Sequence, residues 1–188
     1  RIAEPIRVRT YQDKGNGEEL LSTQKTLYGD FGGLYLPKAV QTAKGSGALH
    51  NRLVYHSYDG YGNLREVSQP NGSRTVYVMG YDFTLPVAKL DNVSLSQIDQ
   101  SWLTPIYDAT EESELILALA NLRLNITAVN KSAQVTTLTY KSLVGVHTVT
   151  DPRGYQMTYE YDDFGRLQYV KDMDGNILSE NQYYYLTD

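Results

Sequence analysis

Imidazole is the commonest general base and metal ligand near neutral pH, so His50, His56 and His147 are the first residues to test for chemistry. None has a second histidine or a carboxylate spaced to share a helix or strand face as co-ligand, and a sheet-packing role is expected for each. The run Asp172-x-Asp174-Gly175-Asn176 and the pair Asp162-Asp163 offer the clustered oxygens that calcium takes. Counting Gly175 as the sixth position of a calcium loop puts Val170 first and Asn181 last, where carboxylates are required. No metal is therefore expected. Spacing singles out no carboxylate pair for glycoside hydrolysis, and Ser113, Ser142 and the other hydroxyls have no visible base. A Gly-x-Ser-x-Gly elbow, a phosphate-cradling loop and a dinucleotide fingerprint are all missing from the sequence. The chain is read as scaffold, not enzyme, with no catalytic residue and no cofactor.

The same Asp and Gly residues make a stronger pattern as turns. Tyr55 to Tyr81 and Thr158 to Tyr184 superpose at an offset of 103. Tyr58-Asp59 then falls on Tyr161-Asp162, Gly62 on Gly165, and Asn71-Gly72 on Asp174-Gly175. His56 takes the position of Tyr159. Within the second copy Asp151-x-x-Gly154, Asp162-x-x-Gly165 and Asp172-x-x-Gly175 place a turn signal every 10 or 11 residues, which leaves room for short strands between them. Asp at the head of such a quartet bonds N–H groups two residues on, and Gly at its end takes the positive φ other residues resist. In the strand between, Met157, Tyr159 and Tyr161 share one face, expected to pack, and Gln156, Thr158 and Glu160 share the other, expected to be solvated. Val76 and Val78 alternate with Thr75, Tyr77 and Met79 in the same way. A degenerate earlier unit is read in Tyr28 to Leu34, and the pattern Leu36-Pro37-x-Ala39 returns as Leu85-Pro86-x-Ala88.

Residues 93–126 break this rhythm. Ser94-x-x-Gln97 predicts a capping box for a short helix carrying Leu95, Ile98 and Trp102 and stopping near Pro105. A second helix is predicted from about Asp108 or Thr110, with acidic residues at its N-terminus and Leu115, Leu119 and Leu122 on one face. Its middle is apolar all round, so burial on both sides is expected. The fold class is thus mainly β: an antiparallel sheet of tandem hairpins with a short helical hairpin inserted, organised as a first β block (1–92), the insertion (93–126) and a second β block (127–188), together one unit.

Composition agrees. Seventeen Tyr against 3 Phe and 1 Trp suits sheet faces that are apolar at the ring and wet at the hydroxyl. A net charge of −5 argues against a phosphate-neutralising surface, and nucleic acid is not an expected partner. Cysteine is absent, which removes disulfides and thiolate chemistry and leaves the compartment undetermined by this test. The longest apolar stretch, Leu115 to Leu124, is interrupted by Asn121 and Arg123 and is about half the roughly 20 residues a spanning helix needs. The chain opens on Arg1 without a leader-like segment and reads as a piece of something longer. Tyr183-Tyr184-Tyr185 reads as a strand leading to an edge, through which a fragment could pair as a homodimer.

Tyr58-Asp59-Gly60-Tyr61-Gly62-Asn63-Leu64 and Tyr159-Glu160-Tyr161-Asp162-Asp163-Phe164-Gly165-Arg166-Leu167 resemble the YD repeat of the RHS-repeat family. Asp151-Pro152-Arg153-Gly154 fits the same repeat. Gly80-Tyr81-Asp82, Leu85-Pro86-Val87-Ala88, Ala133 to Thr137 and Tyr140 to Gly145 further resemble RHS-like proteins of Bacteroidetes, over roughly residues 20 to 185. The resemblance implies a structural segment of a larger bacterial protein, secreted or at the cell surface. Its partners would be the remaining repeats of its own chain, forming a β-shell that encloses a C-terminal toxin. The alternative it allows is an adhesion module in which exposed tyrosines bind a cell-surface glycan or protein. Asp151-Pro152-Arg153-Gly154 shares the opening of the family's self-cleavage sequence, yet it continues into a strand and is read as a turn. The residues expected to matter are Tyr58, Asp59, Gly62, Asn71, Gly72, Asp151, Gly154, Tyr161, Asp162, Gly165, Asp174 and Gly175, all structural.

Overall fold

A computed structural model describes residues 6–70 and 72–184. Twelve antiparallel strands form one open sheet in chain order: β1 (Arg7–Asp13), β2 (Glu18–Phe31), β3 (Leu34–Lys44), β4 (His50–Tyr58), β5 (Leu64–Ser68), β6 (Arg74–Gly80), β7 (Leu85–Asp91), β8 (Gln134–Lys141), β9 (Gly145–Thr150), β10 (Gln156–Tyr161), β11 (Leu167–Lys171) and β12 (Ile177–Glu180). The mainly β fold read from turn spacing and tyrosine alternation is the fold observed. Short turns favour the meander, because two antiparallel strands joined by a few residues pair with each other before anything more distant can compete; β7 and β8 are the exception, pairing across the helical insertion. At Gly32-Gly33 both φ angles are positive, 66° and 90°, as a two-residue turn between twisted strands requires.

Two compact units divide the chain: residues up to Val76 with Asn92–Leu95, and Tyr77–Asp91 with the residues from Ser96 onward. The first is a sheet with little cover. Its fully buried described residues are Ala39, Ala43, Glu66, Val76 and Val93. Glu66 is tolerated in that company because Arg74 donates to it at 2.8 Å and the Leu95 N–H at 3.2 Å, so its charge keeps partners.

The second unit holds the real core, with helix α2 (Glu112–Val129) lying on β8. Leu115, Ala118, Leu119, Leu122 and Ile126 form its buried face, and Val87, Ala88, Leu90 and Val135 are buried on the strands. Leu122 and Ile126 are wholly inaccessible, each contributing about 1.5–3 kcal/mol by the usual transfer bookkeeping.

The structure corrects four details of the sequence reading. Instead of one helix from Ser94, two 3₁₀ turns (Leu95–Gln97 and Gln100–Trp102) lead into α1 (Thr104–Tyr107), and the capping contact is Asp99 accepting from the Ser101 N–H. Pro105 opens α1 where it was expected to stop a helix, since the first turn has no use for the N–H that proline lacks. The middle of α2 is covered on one side only: Leu117 and Leu124 are about two-thirds exposed. Finally, every residue of β10 is half-buried, where one packed and one solvated face were expected.

Candidate functional site

The turns are built alike. At Asp59, Asp151, Asp162 and Asp172 the main chain closes twice: the N–H bonds the carbonyl four residues on, and the carbonyl accepts from the glycine three residues on, all at 2.9–3.1 Å. One carboxylate oxygen then takes the N–H groups two and four residues later, at 2.8–2.9 Å in each case. Such a turn leaves few polar groups unpaired, which is why it recurs. Gly62, Gly154, Gly165 and Gly175 close the loops with φ of 88°, 91°, 73° and 83°. Gln69 heads a fifth turn with the same two main-chain bonds, and Gly72 closes it at φ 84°. Asn71 lies outside the described residues. Asp174 sits mid-turn and donates its N–H to Asp172, so the capping role at this turn belongs to Asp172.

The second oxygen of each capping carboxylate is available for a side chain at the fifth position. Asn63 and Asn176 donate to Asp59 and Asp172 at 2.9 Å, and Arg166 Nε donates to Asp162 at 2.8 Å. These hydrogen bonds, led by the one from Arg166, hold the Asp162 carboxyl below its ordinary range, and the one from Asn176 does the same for Asp172. The Arg166 guanidinium also lies 4.2 Å from the Tyr183 ring centroid and 5.2 Å from that of Phe164.

The tyrosines before the turns act as latches. Tyr58 donates its hydroxyl to the Pro37 carbonyl, Tyr140 to that of Pro86, Tyr161 to that of Val146 and Tyr183 to that of Leu167, at 2.7–2.9 Å. For Tyr58, Tyr140 and Tyr161 the acceptor lies near the start of the strand before their own, and Tyr183, which follows β12, reaches the start of β11. Register slips immediately before Tyr58, Tyr140 and Tyr161, where a bulge re-aims the side chain toward that strand. Pro37 and Pro86 thereby explain the recurring Leu-Pro-x-Ala pattern: each proline offers only a carbonyl, and a tyrosine takes it. Gly145 leaves room for the Tyr161 ring, whose hydroxyl would sit 2.8 Å from a Cβ there. Burial raises the pKa of Tyr81, Tyr140 and Tyr161, and burial with a lesser push from Tyr55 raises that of Tyr58 to about 12.

A polar cluster that sequence spacing missed pins the start of α2 to the sheet. Glu112 Oε1 accepts from Thr139 Oγ1 at 2.5 Å and lies 2.7 Å from His147 Nδ1, while the Thr139 and Thr148 hydroxyls meet at 2.7 Å. Glu112 and His147 are 35 residues apart on a helix and a strand, so no local motif could reveal the pair. The arrangement has the carboxylate and imidazole of a proton-transfer dyad. The Thr139 hydroxyl bonds both the carboxylate and Thr148, so the cluster ties the first turn of α2 to β8 and β9. Next to it a groove of about 290 Å³ runs between Ile116, Ala120, Arg123 and Leu124 of α2 and a floor of Thr137, Thr139, Thr148 and Thr150. Arg123 donates from its wall to the carbonyls of Asp151 and Thr150 at 2.8 and 3.2 Å, tying helix to turn.

His56 bonds the Ser68 hydroxyl at 2.8 Å, and no grouping of His and acidic residues able to hold a metal occurs among the described residues. Another feature the sequence did not signal is the left-handed stretch Tyr81-Asp82-Phe83, with φ of 49°, 55° and 62°. It is held by the Tyr81 hydroxyl, which accepts from the Tyr140 N–H at 2.9 Å, and by Phe83 packing on Tyr107 at 5.0 Å between centroids. No helix among the described residues is long and apolar enough to cross a membrane.

No protein-family model and no curated protein matches the chain. Among solved structures, it is similar to a TcdB2–TccC3–Cdc42 crystal structure, at 11% identity over 92% of this chain with a TM-score of 0.46. It is also similar to TcdB2–TccC3 without its hypervariable C-terminal region, at 13% identity, 93% coverage and 0.47. A Tc holotoxin pore of Photorhabdus luminescens gives 12%, 93% and 0.47. The chain spans only 8–9% of the length of these proteins.

Proposed function

We propose that this chain is a structural strip of YD-type hairpins within a larger RHS-like protein, without catalytic activity of its own. The observation that carries this reading is one device found in both repeat copies, at Tyr58-Asp59 and Tyr161-Asp162: a carboxylate-capped turn preceded by a tyrosine latched to the strand before it. Each latch hydroxyl bonds the main chain of an adjacent strand, the nearest-neighbour contact that an extendable strip needs. The latching hydroxyls of Tyr58, Tyr140, Tyr161 and Tyr183 are committed to main-chain carbonyls, which favours scaffold over a tyrosine-based adhesion surface. A secreted or surface-exposed shell around a C-terminal toxin is the wider setting we assign to the strip, from the resemblance of its repeats.

Cryo-electron microscopy of the full-length gene product tests the reading. A continuous β-strip in which β1 and β12 are each hydrogen-bonded to further repeats is expected. A free-standing module with both edges in solvent would sink the proposal.

A further inference from the structure

The loop from Lys14 to Gly17 joins β1 to β2 and is exposed throughout. It contains Asn16-Gly17, a pair whose chemistry depends on the freedom of one nitrogen. The Gly17 main-chain nitrogen can attack the Asn16 side-chain carbonyl carbon if it is not held elsewhere and no side chain obstructs the approach. In this loop Lys14 donates its N–H to the Gly17 carbonyl at 3.2 Å and Gly15 donates to Asp13 Oδ1 at 2.8 Å, but the Gly17 N–H has no hydrogen-bond partner among the described residues. A Cβ built at Gly15 or at Gly17 would meet nothing within 4 Å, so the loop tip is open on both sides of Asn16.

The chain carries a second Asn-Gly pair, Asn71-Gly72, in the turn headed by Gln69. There the nitrogen that would attack is occupied, since Gly72 donates its N–H to the Gln69 carbonyl at 3.0 Å. The same bond holds the glycine of every carboxylate-capped turn, including Gly175 after Asp174, at 3.1 Å. The closing bond thus shields the Asn71-Gly72 and Asp174-Gly175 peptides, and the Lys14–Gly17 loop lacks that shield.

We infer that Asn16 is a site of spontaneous succinimide formation, selected over Asn71 by the free N–H of Gly17. Base removes the Gly17 amide proton, the nitrogen bonds to Asn16 Cγ, and the Cγ–Nδ2 bond breaks. Ammonia leaves with the proton. Water then opens the ring at either carbonyl to aspartate or isoaspartate. The isoaspartate product lengthens the main chain at the hairpin tip and adds a negative charge beside Asp13, Glu18 and Glu19. It is also a substrate for methyl transfer by a protein-isoaspartate methyltransferase.

The test is peptide mapping by mass spectrometry after incubation of the intact chain in mildly alkaline buffer, natively and in urea, with methyl acceptance as the readout for isoaspartate. Conversion at Asn16 should outpace that at Asn71 by about tenfold in the native chain, the factor that one main-chain hydrogen bond worth about 1.4 kcal/mol supplies. In urea both nitrogens are free and the two rates should converge. A native ratio no larger than the ratio in urea overturns the inference.

Discussion

Gly165→Ala puts the turn architecture to a quantitative test. Gly165 has φ +73°, and a Cβ there would meet only Val144 Cγ1 at 3.9 Å, an ordinary contact. Sterics with neighbours therefore add nothing, and the cost is conformational: about 1–2 kcal/mol for placing an L-residue in the left-handed region. Alanine also restricts the unfolded chain, which returns about 0.4–1 kcal/mol. The net loss should be about 1 kcal/mol, or a fall of about 2–4 °C in Tm for a chain of this size. Gly60→Ala is the matched control. It lies in a turn of the same kind, at the second position, without a left-handed φ, and its added Cβ meets nothing within 4 Å. Only the unfolded-state benefit applies there, so Tm should hold or rise slightly. Differential scanning calorimetry reads both. Equal effects at the two glycines, or an unchanged Tm in Gly165→Ala, would refute the claim that the closing position needs positive φ.

Further outcomes follow from the same geometry. Tyr161→Phe, which removes the hydroxyl donated to Val146, should cost about 1 kcal/mol in denaturant unfolding, whereas the exposed Tyr155→Phe should be silent. Leu143 is fully exposed at φ 59°, so Leu143→Gly should stabilise by about 0.5–1 kcal/mol, the strain relieved less the added unfolded-state entropy. In alkali, Tyr58 keeps its proton to about pH 12 when folded but releases it near 10 when unfolded; stability is therefore full below pH 10 and falls as pH rises toward 12. Spectrophotometric titration should show a tyrosinate step near pH 12 that disappears in Tyr58→Phe. In acid the sign reverses: the folded pKa values of Asp162 and Asp172 are depressed, so their contribution is present above the unfolded carboxylate range and lost as pH falls through the folded values. Asp162→Asn, which keeps an acceptor for the main chain but loses the ion pair with Arg166, should shift the midpoint of acid unfolding.

Much of the fold is local in origin, and so was legible in the residues alone. Asp-x-x-Gly carries its own turn, because the carboxylate and the N–H groups it accepts lie within five residues and no distant group is needed. The offset of 103 between the copies follows from the same fact: β4 and β10 end in the turns headed by Asp59 and Asp162, and β5 and β11 in those headed by Gln69 and Asp172. What tertiary structure alone decided is everything that joins residues far apart in the chain. The tyrosine latches reach back 15 to 54 residues, and their aim depends on bulges that no periodicity records. The Glu112–His147 clamp exists only because α2 folds onto β8 and β9. Pro105 reads locally as a helix stop, yet it stands in the first turn of α1, next to the buried Ile106. Local turn chemistry thus determined where the capped turns reverse this chain, and long-range hydrogen bonds and burial determined which tyrosines are tied to a neighbouring strand.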